Sequence, residues 1–464
     1  MVVGAGANGL AAAITLAEAG RSVLVLERAP DPGGALRTEE LLELGFRHDV
    51  CAAVMALAPA SPFLSRVATD LVVPPAPLAH PFDDGTAMVL ERSVDESARR
   101  LGRDGAAYRR LLAPLAARAD ELLADVFGPP RPPRHPLLAA RFGVPGLVPA
   151  APLGRMLFAG REARGLLAGA AAHGMLSLRE PLSGAFGLVM LATAHAGGWP
   201  IGRGGSAAVA SALVRRLEDL GGELRCGVDV TSRGQLPRTR DVLLDLSPRG
   251  VLQVGGDRLP ARYRRRLEGY RYGPGVCKLD WTLDAPIPWA APECGRAATV
   301  HLGGTAEEIA SSARDVARGR HPERPFVILV QPTLFDATRA PAGRHTAWAY
   351  CHVPNGSGRD VSAAVEAQVE RFAPGFRDVV RQRSAWGPAE VEAREPNCVG
   401  GDINCGRSDV AQLLRRPALR WTPYATPDPG LFICSAATPP GGGVHGMCGW
   451  HAARAALRRR RRPG

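Results

Sequence analysis

The chain has 464 residues, of which 46% are hydrophobic and 22% are charged, so it is long enough to form more than one folded domain. Its positive charges, which give a net charge of +12, are almost all arginine, because Lys278 is the only lysine. Such a skew indicates coding bias more than a selected basic surface, so we predict no nucleic-acid partner. No run of about 18 apolar residues predicts a transmembrane helix, and no signal peptide is recognisable. Nine cysteines without a C-x-x-C pair indicate reduced thiols and a cytoplasmic protein.

The chain begins with a strand, a glycine turn, a helix and a second strand. Gly4, Gly6 and Gly9 have the G-x-G-x-x-G spacing in which the second glycine admits a pyrophosphate and the third packs the helix on the strand. The apolar strand 23–26 ends at Glu27, where a carboxylate would bind a ribose hydroxyl. Only three residues precede Gly4, so the first strand is short or the start is placed late. The predicted dinucleotide contacts are Gly4, Ala5, Gly6, Ala7, Asn8, Gly9 and Glu27.

A second glycine pair, Gly33-Gly34, follows Glu27 after a short turn and is itself followed by Arg37. An acid, a Gly-Gly doublet and a nearby arginine resemble the second signature of the FAD-dependent amine oxidase and phytoene desaturase superfamily. In that superfamily the doublet brings the backbone close to the phosphate and ribityl part of the flavin, which implies FAD as the cofactor. The resemblance adds these predicted cofactor contacts: Arg28, Gly33, Gly34, Ala35 and Arg37.

The middle of the chain differs in composition from its two ends. Amphipathic helices are predicted from Leu101 to Val126, a proline-rich break at 129–136, and apolar helices from 147 to 196. The later part, 256–395, reads as successive strands with one amphipathic helix, and this predicts a mostly antiparallel sheet as the floor of a substrate site. Its strands are predicted at Gly275–Leu283, Phe326–Gln331 and His345–Val353, and its helix at Val361–Phe372.

Two further segments return the chain to the first domain. A glycine-rich turn at 197–206 leads into a helix at 207–220, and strands are predicted from Glu223 and from Asp241. The linker 231–240 is too short for the β-hairpin usual in the resembling superfamily. We therefore predict an α/β fold with a discontinuous Rossmann-like FAD-binding domain and an inserted α+β substrate domain. The predicted FAD-binding segments are 1–80, 196–255 and 396–464, and the predicted substrate-binding segments are 81–195 and 256–395.

The last signature is an apolar strand from Leu431 that enters the glycine loop 441–446 and then a helix to about Leu457. In the resembling superfamily this loop runs beside the isoalloxazine, and the helix N-terminus stabilises negative charge on the reduced ring. The resemblance adds Gly442, Gly443 and Val444 to the predicted cofactor contacts. His445, in the same loop, is a candidate acid, base or flavin contact.

Over nearly its whole length the chain resembles the phytoene dehydrogenase-like NAD(P)/FAD-dependent oxidoreductases. The resemblance implies an FAD-dependent dehydrogenase or desaturase that transfers a hydride from a hydrophobic small molecule to flavin N5. Flavin amine oxidation and FAD binding without turnover stay open as alternatives. The electron acceptor stays open among oxygen, a quinone and NAD(P).

Lys278 is the residue for which a catalytic role is predicted most specifically. In the amine oxidase branch a strand lysine holds a water against flavin N5, and the surroundings of Lys278 are similar; a surface lysine at a sheet edge is the simpler alternative. The histidines have no metal-ligand spacing, so we predict no metal. The arginine run 458–462 is best explained as a solvated tail, with peripheral contact to an anionic membrane as the alternative.

Overall fold

The computed structural model describes residues 1–67, 70–129 and 131–459. Residues 460–462 of the arginine run therefore lie outside the described residues. The strands are β1 Val2–Val3, β2 Leu24–Leu26, β3 Thr38–Glu39, β4 His48–Asp49, β5 Leu71–Val72, β6 Ala76–Pro81, β7 Ala87–Leu90, β8 Ile201–Gly202, β9 Glu223–Arg225, β10 Val242–Leu244, β11 Gly275–Leu283, β12 Ala297–Leu302, β13 Val327–Val330, β14 His345–Val353, β15 Val380–Trp386 and β16 Leu431–Ile433.

Helices occupy both middle regions predicted to be helical, 101–126 and 147–196. They are α1 Ala7–Glu18, α2 Val94–Arg100, α3 Gly105–Ala116, α4 Ala119–Val126, α5 Pro136–Leu147, α6 Ala150–Leu157, α7 Arg161–Ala172, α8 Ser183–Gly197, α9 Ala207–Asp219, α10 Pro248–Gly255, α11 Ala261–Glu268, α12 Ala306–Ala317, α13 Ser362–Phe372, α14 Phe376–Val379, α15 Pro388–Arg394, α16 Val410–Arg415 and α17 Met447–Arg459.

A parallel sheet with the strand order β16-β10-β1-β2-β9 carries the N-terminal glycine turn. Strand β1 has only two residues, yet it pairs with β2 on one side and β10 on the other. Helix α1 packs against α9 and α17, and the crossing with α17 is so close that a Cβ on Gly449 would lie 1.7 Å from the Asn8 carbonyl oxygen. The predicted Rossmann-like sheet is therefore confirmed, with the first glycine turn at the carboxyl end of its central strand.

The second sheet has the strand order β15-β11-β14-β13-β12-β6-β7. Its neighbours are antiparallel except for the parallel pair β12–β6, so the prediction of a mostly antiparallel sheet is confirmed. Alternate residues of β11 divide between two cores: Leu279 and Trp281 pack with α13 and α14, whereas Val276 packs with α7 residues on the opposite face. Both faces of this sheet are covered by other elements, which explains why β11 and β14 are buried along almost their whole length.

Two elements near the predicted domain boundaries pack with the sheet on the other side of the boundary. Strand β6 pairs with β12 and β7, so it belongs to the mixed sheet although most of it lies in the segment 1–80. Helix α11 packs Tyr263 and Leu267 into the core of the parallel sheet, although it lies after residue 255. Strand β6 is buried along its whole length, whereas α11 is rich in arginine and buries Tyr263 and Leu267 alone among its residues.

Among the described helices, none is by itself long and apolar enough to cross a membrane. Helices α5 and α6 together have the length and composition of a membrane span, but they meet at a bend of 105°. The linker 226–241 contains no hairpin and forms a loop with one short 3-10 turn at Arg233–Gln235, as its length predicted.

Candidate functional site

The N-terminal glycine turn has the geometry that its spacing predicts. Gly4 has φ +98°, a conformation that side chains rarely adopt. A Cβ on Gly9 would lie 2.0 Å from the Gly4 carbonyl oxygen, so only glycine allows α1 to lie this close to β1. Helix α1 starts directly after Gly6 and has no acidic residue in its first turn, which leaves its positive end free to face an anion.

Glu27 and Arg37 hold the backbone of the two glycine turns through hydrogen bonds. The carboxylate of Glu27 accepts hydrogen bonds from the backbone N–H groups of Ala5, at 2.6 Å, and Ala29, at 2.9 Å. Arg37 donates to the Glu395 carboxylate at 2.6 Å and to the Gly34 carbonyl at 3.2 Å. Arg37 therefore holds the second glycine pair in place and also lines the cavity between the two turns. Arg28, which is more exposed, donates to the Ala393 carbonyl at 3.2 Å.

Asp245 adds a buried carboxyl group at the same turn. It follows β10, and its Oδ2 accepts the N–H of Gly9 at 2.9 Å. A Cβ on Gly6 would lie 2.9 Å from that oxygen. Burial raises the pKa of Asp245 to about 7, with smaller contributions from Glu27 and Glu395, while the bond from Gly9 acts against the rise. Burial likewise raises the pKa of Glu395 to about 7 against the opposing charge of Arg37.

The C-terminal glycine loop lies on the same cavity. A Cβ on Gly442 would lie 2.7 Å from the Asn404 Cα, and Gly443 has φ +123°. His445 is buried, its Nδ1 accepts the Met447 N–H at 3.1 Å, and its ring centroid lies 4.9 Å from that of Phe127. Burial lowers the pKa of His445 to about 4, although the backbone of Gly441 and Gly442 acts to raise it, so the ring is neutral at pH 7. A neutral ring that accepts at Nδ1 carries its proton on Nε2.

These groups share one cavity of about 790 Å³. The cavity brings together nearly all of the predicted cofactor contacts. Of that set, Ala5 and Gly9 do not line it, because their N–H groups bind Glu27 and Asp245 instead. The predicted contacts on its wall are Gly4, Gly6, Ala7, Asn8, Glu27, Arg28, Gly33, Gly34, Ala35, Arg37, Gly442, Gly443 and Val444.

The remaining wall of the cavity is largely apolar and aromatic. It includes Phe142 from α5, Phe186 and Met190 from α8, and the adjacent pair Trp348 and Tyr350 on β14, whose ring centroids lie 5.3 Å apart. Trp199, which also lines the cavity, has φ +52°, a value that is uncommon for a bulky residue. The mixed sheet thus contributes to the cavity wall, as the floor of a substrate site would.

Several observations on this wall fit a dinucleotide. A Cβ on Gly6 or Gly442 would lie within 3.0 Å of a neighbouring protein atom, so glycine keeps the backbone of this wall closely packed. The cavity is within the range of about 300–1,000 Å³ that is usual for cofactor and ligand sites. The Oδ1 of Asn8 and the Nδ2 of Asn404 are buried without a hydrogen-bond partner among the described residues. Both asparagines line the cavity, so a bound dinucleotide could supply the missing partners.

Lys278 lies behind this wall and does not itself line the cavity. It is buried on the internal strand β11, between β14 and β15, so it is not a surface lysine at a sheet edge. Its ammonium group is hydrogen-bonded to Asp280 and lies 4.4 Å from the centroid of the Trp386 ring. Burial would raise the pKa of Asp280, but the charge of Lys278 and the neighbouring His48 side chain more than offset this and leave it lowered. A small neighbouring pocket connects Lys278 with Trp348 and Tyr350.

The residues that the sequence analysis missed come from distant parts of the chain. Asp245 had a recognisable signal, since it ends an apolar strand at the carboxyl edge of a parallel sheet. Glu395, Trp348 and Tyr350 had no local motif, and only the fold places them on the cavity. All nine cysteines are free thiols. In the described part of the chain, no group of three or more His, Cys, Asp or Glu side chains is arranged to hold a metal ion.

Comparison with known proteins supports an oxidoreductase. Residues 2–71 match the family model described as an NAD(P)-binding Rossmann-like domain. The chain is 24% identical to pyridine nucleotide-disulfide oxidoreductase domain-containing protein 2 of Mus musculus, over 99% of this chain and 93% of that protein. It is 28% identical to phytoene dehydrogenase of Streptomyces griseus, over 87% of this chain and 80% of that protein.

Solved structures share the fold over the whole chain. An oxidoreductase from Methanosarcina mazei has a TM-score of 0.64 at 16% identity, covering 98% of this chain and 99% of that one. Cyclohexylamine oxidase from Brevibacterium oxydans has a TM-score of 0.57 at 17% identity, covering 99% of each chain. The predicted resemblance to phytoene dehydrogenase-like proteins and to the amine oxidase fold is therefore confirmed, and so is the prediction that the chain is an oxidoreductase.

Proposed function

We propose that this protein is an FAD-dependent dehydrogenase or desaturase that takes a hydride from a hydrophobic small molecule. The observation that carries the proposal is the single cavity in which the glycine turns and an apolar, aromatic wall meet. When bound, FAD supplies the hydride acceptor, and the protein has to place the substrate and exclude water. The similarity to a phytoene dehydrogenase supports an apolar substrate.

The chain's own residues have separate tasks under this proposal. The N-terminal end of α1 and the backbone of Gly6 would hold the pyrophosphate, and the Glu27 carboxylate would hold a ribose hydroxyl. Gly33, Gly34 and the loop at Gly442 would leave room for the remainder of the cofactor. The apolar wall around Phe186 would keep water from the reacting bond.

Amine oxidation is the alternative function that one observation favours. The aromatic pair Trp348 and Tyr350 lines the cavity, and a ring face can receive the cationic or neutral nitrogen of an amine. The cyclohexylamine oxidase likeness rests on fold alone and does not decide between the two. Binding of FAD without turnover is the third reading, and the same experiment separates all three.

The test is an absorption spectrum of the purified protein after reconstitution with FAD, followed by anaerobic addition of donors. A bound flavin spectrum supports the cofactor assignment. Bleaching by an apolar alkene precursor, with recovery on adding oxygen, a quinone or NAD(P)⁺, supports the dehydrogenase and identifies the electron acceptor. Bleaching only by amines would replace the proposal with amine oxidation. A protein that takes up no FAD would refute it.

We also propose that this protein is cytoplasmic and contacts membranes peripherally. Helix α5 exposes a stripe of apolar residues, with Leu137 80% and Val144 70% exposed, and Arg141 lies on the same stripe. Phe142 of the same helix lines the cavity. An apolar stripe with an arginine suits an anionic lipid surface, from which an apolar substrate could reach the cavity.

A further inference from the structure

Two histidines lie together at one part of the cavity wall. His173 follows α7 and lines the cavity, and its Nε2 lies 2.9 Å from the Nε2 of His301, which is fully buried on β12. Helix α7 makes room for this pair at Gly169, where a Cβ would lie 2.5 Å from the His301 Nδ1. The pair is therefore a built feature that depends on a glycine one turn before His173.

The hydrogen bonds of the two rings determine which histidine donates and which accepts between the two Nε2 atoms. Burial lowers the pKa of His173 to about 3 and the pKa of His301 well below its ordinary value, so both rings are neutral and each carries one proton. The Nδ1 of His301 is buried without a partner among the described residues. An orphaned acceptor is tolerated more readily than an orphaned N–H, so His301 donates from Nε2 to His173. His173 then carries its own proton on Nδ1.

This Nδ1–H has no hydrogen-bond partner among the described residues, and His173 retains exposed surface that belongs to the cavity. A second donor is the hydroxyl of Tyr350, which also lines the cavity without a partner among the described residues. Burial raises the pKa of Tyr350, so its hydroxyl stays protonated. His301, which binds His173, lies on the same face of the mixed sheet as Tyr350, because both are register partners of Ile328.

We infer that the substrate carries a carbonyl oxygen, which accepts hydrogen bonds from His173 Nδ1–H and from the Tyr350 hydroxyl. This inference rests on the proposed function and narrows its substrate class from any apolar molecule to an apolar ketone or aldehyde. A pure hydrocarbon would strip water from both donors without replacing the lost hydrogen bonds. An ammonium group would set a donor against two donors. A carbonyl oxygen has two lone pairs and satisfies both.

The test compares three ligands of one shape with the FAD-reconstituted protein: cyclododecanone, its hydrocarbon analogue methylenecyclododecane, and cyclododecylamine. Binding is followed by the fluorescence of Trp199 and Trp348, which line the cavity, and by the shift in Tm. The ketone is expected to bind about 10-fold or more tightly than the hydrocarbon, since each hydrogen bond contributes about 3-fold to 10-fold.

The variants His173→Phe and Tyr350→Phe should each reduce ketone affinity about 3-fold to 10-fold and leave hydrocarbon affinity and the visible flavin spectrum unchanged. The matched control is Tyr108→Phe. This change removes a buried hydroxyl that lies 2.7 Å from His195 Nε2, and Tyr108 does not line the cavity. It should not alter the preference for the ketone. If His173→Phe does not fold, Tyr350→Phe decides the matter alone.

Equal affinity for ketone and hydrocarbon, or a preference that survives both variants, would overturn this inference and leave the proposed function standing. Tighter binding of the amine would overturn the inference and favour amine oxidation. Absence of binding by all three ligands to a protein that holds FAD would overturn it as well. A protein that takes up no FAD would instead count against the proposed function, and the ligand preference would still be measurable from Tm shifts of the apoprotein.

Discussion

Replacing Asp245 by asparagine should change how the stability of the protein depends on pH. Asp245 is only 7% exposed, and burial raises its pKa from about 3.9 in an unfolded chain to about 7. Because the folded pKa is the higher one, the contribution of Asp245 to stability is fully present below about pH 4 and is lost as pH rises through about 7. The full loss is about 4 kcal/mol, of which about 2.5 kcal/mol falls between about pH 5 and about pH 8.

Asparagine keeps an oxygen that can accept the Gly9 N–H, and it has no charge to desolvate. The Tm of the Asp245→Asn apoprotein should therefore rise relative to the unchanged protein as pH increases. For a chain of this length, about 2.5 kcal/mol corresponds to a relative gain of about 2–3 °C between about pH 5 and about pH 8. Asp95→Asn, which alters an exposed carboxylate paired with Arg109, is the control. Parallel Tm curves for the Asp245 variant and the unchanged protein would refute the reasoning.

Three further perturbations test other parts of the structure. Gly9→Ala should cost about 3 kcal/mol of stability and abolish FAD uptake, as measured by Tm and bound flavin, because the new Cβ would collide with the backbone of the first turn. Lys278→Met should retain FAD but slow flavin reduction or reoxidation. It should also lower the free energy of unfolding by about 3–5 kcal/mol, because Asp280 is left buried without its partner. The double variant Lys278→Met with Asp280→Asn should recover most of this stability in denaturant unfolding. Leu137→Glu with Val144→Glu should reduce sedimentation with phosphatidylserine vesicles about 10-fold or more.

Each of these tests has a matched control and a result that contradicts it. Gly143→Ala adds a methyl group to helix α5 where nothing lies within 4 Å, and should leave FAD uptake unchanged; normal flavin content in Gly9→Ala would disprove the close-approach argument. Unaltered flavin kinetics in Lys278→Met would exclude a role for that lysine in the reaction. Leu44→Glu, at a loop leucine that is 90% exposed, should not affect vesicle binding. Sedimentation that survives the α5 changes would rule out this face.

The sequence alone predicted the elements whose signals are local. The glycine turn at Gly4, the strand Gly275–Leu283 and the strand His345–Val353 follow from backbone freedom and from the alternation of side chains, both of which act over a few residues. The architecture of a parallel sheet joined to a mostly antiparallel one followed as well. The resemblance to a known superfamily predicted the second glycine pair and the C-terminal loop as cofactor contacts, and both lie on one cavity.

Only the tertiary structure decided which distant side chains share a site. Asp245 binds the first glycine turn and Glu395 binds Arg37 beside the second glycine pair, each from a position more than 200 residues away in the chain. The sequence left two readings for Lys278, a residue near the flavin or a surface lysine at a sheet edge, and the strand order placed it inside the sheet, paired with Asp280. The His173–His301 pair is likewise a product of packing, since it requires α7 to approach β12 at Gly169. Local patterns carry no record of such approaches, because these depend on how whole faces of helices and sheets meet.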